Sequence, residues 1–124
     1  MPNYSVAIKE VSKQLSAKER VMLKDTTNCI KLDEATQLEP VHIKPAYYAV
    51  LEIHNDKSDS PDYDNYIVVA EDGKKYITGS KSFWSSFTNI MTEMEDCDEE
   101  WGIEVYRVPS KNYKGKDFIT CSIE

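Results

Sequence analysis

The sequence predicts an α+β fold, mainly β with few helices, on three observations. Apolar residues alternate with period two from Pro45 onward, an Asp72-Gly73 pair separates two β-branched runs, and helical spacing links Phe83, Phe87, Ile90, Met91 and Met94. The chain has 124 residues, of which 40% are hydrophobic, and includes 8 Tyr, 2 Trp and 3 Phe. That is enough for one core without metal or disulfide support, so a single domain over 1–124 is expected.

Taken in order, Ser16 and Glu19 stand at capping-box spacing, which predicts a short helix starting near Ala17 and ending before Thr26. Cys29, Ile30, Leu32 and Glu34 allow a short strand. A polar link then runs to Pro40, and residues 1–44 read as an N-terminal extension. From Pro45, Tyr47, Ala49, Leu51 and Ile53 alternate with Tyr48, Val50, Glu52 and His54, the period of a strand with one face inward. A loop rich in Asp and Ser follows. Residues 65–70 form the next strand, and Asp72-Gly73 predicts a two-residue hairpin to the strand over 74–78.

The helix over 83–94 should place Phe83 and Phe87 in the core, with Trp84 at the edge of the buried stripe. It should stop near Cys97, because the acidic run beyond it opposes the dipole of a helix C-terminus. Trp101, Ile103 and Val105 then alternate with Gly102, Glu104 and Tyr106, and residues 118–123 make the last strand.

Three strands, a helix and a two-stranded hairpin is the order of a five-stranded OB-like barrel, whose helix lies between strands 3 and 4. On that reading residues 45–124 are the OB-like core. An open antiparallel sheet with one packed helix uses the same elements without closing.

Lys and Arg number 15 against 22 Asp and Glu, a net charge of -7 that counts against a generally basic nucleic-acid-binding surface. The signs are segregated, however. Lys9, Lys13, Lys18, Arg20 and Lys24 face only Glu10 and Glu19 near the N-terminus, and Arg107, Lys111, Lys114 and Lys116 are answered locally by Asp117. The acids gather at 56–64 and 93–104. Cys29, Cys97 and Cys121 form no Cys-x-x-Cys pair and no zinc spacing, which points to a reducing compartment. With no leader-like or membrane-spanning apolar run, a soluble cytoplasmic protein without membrane partners is expected.

The basic segment 107–116 carries the clearest chemistry. Lysines neutralise phosphates and an aromatic ring stacks on an unpaired base, so Arg107, Lys111, Lys114 and Lys116 with Tyr113 suit a single-stranded polyanion. Tyr66, Tyr76, Lys74 and Lys75 would extend that surface. The competing reading is a solvated hairpin tip, with the tyrosines packed in the core. Asp56, Asp59 and Asp62 make the loop after the first core strand acidic, so the basic hairpin would be one wall of a groove.

Strand order, the Tyr-rich sheet, and Lys111, Tyr113, Lys114 and Lys116 ahead of Phe118 and Ile119 together resemble small single-stranded DNA-binding or replication-associated proteins of bacteriophages and prophages of Gram-positive bacteria. The resemblance covers residues 45–124. It implies a non-catalytic module for single-stranded DNA or RNA in phage replication or recombination, working in the bacterial host cell, with a replication or host protein as partner. A dimer is compatible with it.

A second reading uses Glu93, Glu95, Asp96, Asp98, Glu99, Glu100 and Glu104. Closely spaced carboxylates imitate DNA phosphates, so this run would serve an acidic, phage-encoded inhibitor that binds a host protein. Glu52, His54 and Asp56 are raw material for a metal site or general base, but their spacing is unspecific. No triad, phosphate loop or cofactor motif can be assembled, so no enzyme, cofactor or metal is expected.

Overall fold

In the computed structural model, residues 4–55, 62–109 and 117–124 are described. They are mostly strand with few helices. In chain order the elements are β1 (Tyr4–Val11), α1 (Ala17–Lys24), β2 (Ile30–Lys31), α2 (Leu32–Ala35), β3 (Val41–Ile43) and β4 (Pro45–Asn55). They continue with β5 (Asp62–Ala70), β6 (Lys75–Thr78), α3 (Lys81–Glu93), β7 (Ile103–Pro109) and β8 (Asp117–Ile123). The chain forms two compact units, Met1–Ile30 with Ala46–Gly79, and Lys31–Pro45 with Ser80–Glu124.

The first unit is built on a five-stranded sheet of order β1-β4-β5-β6-β2. Val6, Ile8 and Val11 of β1 stand opposite Ile53, Leu51 and Ala49 of β4, and a register shift between Ile8 and Glu10 absorbs one extra residue. That bulge lets Ile8 and Val11, three positions apart, point into the same core. There they meet Leu15, Leu23, Ala49, Leu51, Ile53, Ile67 and Val69. The capping box expected for α1 is present: Glu19 N–H donates to Ser16 Oγ, and Ser16 N–H donates to Glu19 Oε1.

The β5-β6 hairpin is also present, with a longer loop than expected. Ala70 N–H donates to Lys74 O and Gly73 N–H donates to Ala70 O, so three residues make the turn. Gly73 sits at φ 90, a conformation that costs a residue with a Cβ. The 29–34 segment is a strand for two residues only and turns helical at Leu32.

The second unit holds a three-stranded antiparallel sheet of order β3-β7-β8, with α3 packed along β8. Ser80 caps α3 by accepting from Phe83 N–H, and Ser82 Oγ donates to the carbonyl of Ile119 at 2.9 Å. Phe83 and Phe87 are fully buried and stacked with centroids 5.6 Å apart, while Trp84 is half-buried against Phe87. Those three assignments match the helical spacing. Ile43, Ile103, Val105, Ile119 and Cys121 complete the buried apolar set on the strands of this unit.

The five expected core strands are therefore all found, but in two open sheets and not in one OB-like barrel. The reason is edge occupancy. A barrel over residues 45–124 needs a free edge on β4 and on β7; β1 and β5 flank β4, and β3 and β8 flank β7. Residues expected as an extension supply the strands that take those edges.

Candidate functional site

The described surface with the most distinctive charge lies where α3 ends. The helix closes when the Met94 N–H donates to Ile90 O at 2.9 Å, and a turn follows in which Cys97 N–H donates to Met94 O at 3.1 Å. Glu93, Glu95, Asp96, Asp98, Glu99 and Glu100 are all exposed. The last turn of α3 carries no basic residue, so Glu93, Glu95 and Asp96, within a turn of its end, oppose the helix dipole without relief from that turn. Among the described residues only Glu100 has a cation in range, Lys44 Nζ at 3.8 Å, with the glutamate side chain 91% exposed. A pair so exposed contributes little to stability.

Glu104 stands apart from this group. It is half-buried on β7, directly opposite His42 of β3 and Ser122 of β8.

The residues expected to bind nucleic acid are dispersed in role. Lys111, Tyr113, Lys114 and Lys116 lie outside the described residues. Tyr66 and Tyr76 are only 9% and 6% exposed, so neither ring offers a face to a base. They are packing residues: Tyr66 belongs to β5, buried on both faces from Tyr66 to Ala70, and Tyr76 is a buried residue of β6 opposite Val68. Lys75 Nζ donates to the carbonyls of Met22 at 2.6 Å and Asp25 at 2.8 Å, satisfying the C-terminal end of α1. Arg107 is half-buried; its guanidinium donates to the carbonyl of Asp33, and its Nε is buried with no partner among the described residues. Lys74 is exposed, with Asp72 at 3.9 Å.

Lys74 and Lys75 also border an open depression of about 300 Å³ lined by Met22, Asp25, Asn28, Ile30 and Gly73. Its lining mixes signs and presents no convergent set of donors.

His54 bonds Asp62 at 2.6 Å on an exposed surface, Glu52 is exposed, and Asp56 is outside the described residues. Burial pushes the Cys121 thiol up to about 12, and it raises that of Cys29 as well, so neither is a ready nucleophile. No helix among the described residues is long and apolar enough to cross a membrane.

One cluster escaped the linear reading. His42, Glu104 and Glu124 bring ligand-type atoms within 4.8 Å of one another, and His42 Nδ1 is in direct contact with Glu124 Oε1. The only signal for it is cross-strand pairing, which no spacing in the sequence displays.

Comparison with protein-family models, curated proteins and solved structures found no match to this chain.

Proposed function

We propose that this chain is a non-catalytic protein-interaction module whose acidic segment, Glu93, Glu95, Asp96, Asp98, Glu99 and Glu100, engages the basic face of a nucleic-acid-binding protein. One observation carries the reading: six exposed carboxylates stand at and beyond a helix C-terminus, where the charge of Glu93, Glu95 and Asp96 is unfavourable and no basic residue of the last turn offsets it. Charges that weaken their own helix while facing solvent are suited to a partner that supplies the missing cations. Lysines and arginines placed to hold DNA phosphates are such a set. Inhibition by occupying a DNA-binding surface follows from the same chemistry.

The alternative, binding of single-stranded DNA or RNA, now leans on exposed Lys74 and on Lys111, Tyr113, Lys114 and Lys116, since Tyr66, Tyr76, Lys75 and Arg107 are engaged within the fold. One titration separates the two. A labelled Lys/Arg-rich segment of a DNA-binding protein and a labelled single-stranded oligonucleotide are each followed by fluorescence anisotropy across a salt series. The basic segment should bind at low salt. Glu95→Gln, Asp96→Asn, Asp98→Asn and Glu99→Gln together should weaken it by roughly tenfold or more, about 1.4 kcal/mol. Neutralising four exposed acids elsewhere, Glu10, Glu34, Glu39 and Glu71, should have a smaller effect. Equal losses from both sets would reduce the effect to net charge and overturn the proposal. Salt-sensitive oligonucleotide binding lost on Lys111→Glu, Lys114→Glu and Lys116→Glu would establish the alternative.

A further inference from the structure

Two adjacent strands of the second unit and the residue that follows a third deliver an imidazole and two carboxylates to one spot. His42 of β3 and Glu104 of β7 are cross-strand partners, and Glu104 pairs on its other side with Ser122 of β8, two residues before Glu124. Glu124 is held in place by its own N–H, which donates to Gly102 O at 2.9 Å. Its carboxylate lies over Gly102, where a Cβ would meet Oε2 at 3.3 Å. Backbone pairing, not side-chain chance, thus brings the three groups together.

From this convergence we infer that His42, Glu104 and Glu124 form a binding site for a divalent transition-metal ion of the zinc class. Two carboxylates beside one imidazole offer oxygen and nitrogen donors together. A dication offsets the repulsion between two carboxylates held this close. The donor set discriminates among metals. Calcium and magnesium are bound through oxygen, whereas an imidazole with carboxylates suits zinc and its neighbours. Ligands about 2.0–2.1 Å from a tetrahedral zinc stand roughly 3.3 Å from one another, so groups already within reach close on the ion by side-chain rotation.

Three protein ligands leave a further position for water or for a group from a partner. The His42 side chain is 62% exposed and that of Glu124 39%, so ions reach the site directly and binding is reversible. The competing description is an ordinary exposed His–Glu ion pair beside a second glutamate, which would show no preference for a metal.

Cobalt(II) distinguishes the two, because its visible d–d absorption reports both binding and geometry. The whole chain should take up one equivalent of cobalt with a visible band, and zinc should displace it. His42→Ala and Glu124→Gln should each abolish the band while the far-ultraviolet circular dichroism is unchanged. The four-fold acidic-segment variant described above should retain it, which separates this site from the proposed interaction surface. Zinc should also raise the thermal midpoint of the wild type and not of His42→Ala. Absence of a cobalt band in the wild type, or an unchanged band in both single variants, overturns the assignment.

Discussion

A Cβ at Gly102 would lie 3.0 Å from the carbonyl oxygen of Ile43, a backbone atom that cannot swing aside. The residue is buried immediately before β7, where Ile43 of β3 and Glu124 both approach it. Gly102→Ala should therefore separate β3 from β7 locally and lower stability by about 1–3 kcal/mol, the usual cost of overpacking. Gly79 makes the control, because its nearest neighbour is a side-chain atom of Asn65 at an ordinary 3.6 Å. Urea unfolding of the two alanine variants measures the difference; equal midpoints would show that the β3–β7 approach tolerates a methyl group.

Helix α1 has an ionisable group in its N-terminal capping box and another at its C-cap, so its stability should depend on pH. Hydrogen bonding from the Ser16 backbone N–H, then its hydroxyl, holds the Glu19 carboxyl below its ordinary value. At the other end the Thr27 hydroxyl, then its N–H, does the same for Asp25. A carboxyl whose folded value is depressed contributes stability above its unfolded value, and that contribution is lost as pH falls through the folded one. Taking about 4.3 for an unperturbed glutamate, α1 should loosen as pH drops below about 4. Amide exchange of residues 17–24 reports it, and Ser16→Ala should flatten the pH dependence in the first turn. A variant as pH-sensitive as the wild type would exclude the capping box as the cause.

Local chemistry of this kind is what the sequence displays. Ser16 and Glu19, the Phe83–Phe87 spacing, and Asp72-Gly73 each specify an element within a few residues of themselves. Strand β1 was hidden because the bulge after Ile8 breaks the alternation that would announce it. Tyr66 and Tyr76 were ambiguous because the period of a strand does not say whether both its faces are covered. The His42 cluster depends on residues 82 positions apart, and so on a pairing that exists only after folding.

Each unit is assembled from two separate stretches of sequence, which changes what a fragment can do. The chain passes between its two units after Ile30, after Pro45 and after Gly79, so residues 31–45 belong with 80–124 although 46–79 intervene. A fragment of residues 80–124 keeps α3, β7 and β8 but loses β3, with buried Ile43, and α2, with fully buried Leu32. One edge of β7 is then unpaired, and a 45-residue piece is near the size at which a core fails without help. The fragment should be unfolded alone by circular dichroism. Fragment 1–79 carries β3 and α2, so mixing the two should restore strand signal and protect the amides of Ile103 and Val105, which lie in the strand that pairs with β3. Autonomous folding of 80–124, with those amides already protected, would mean that α3 packed along β8, with β7 paired to it, is a sufficient core and that β3 only covers its edge.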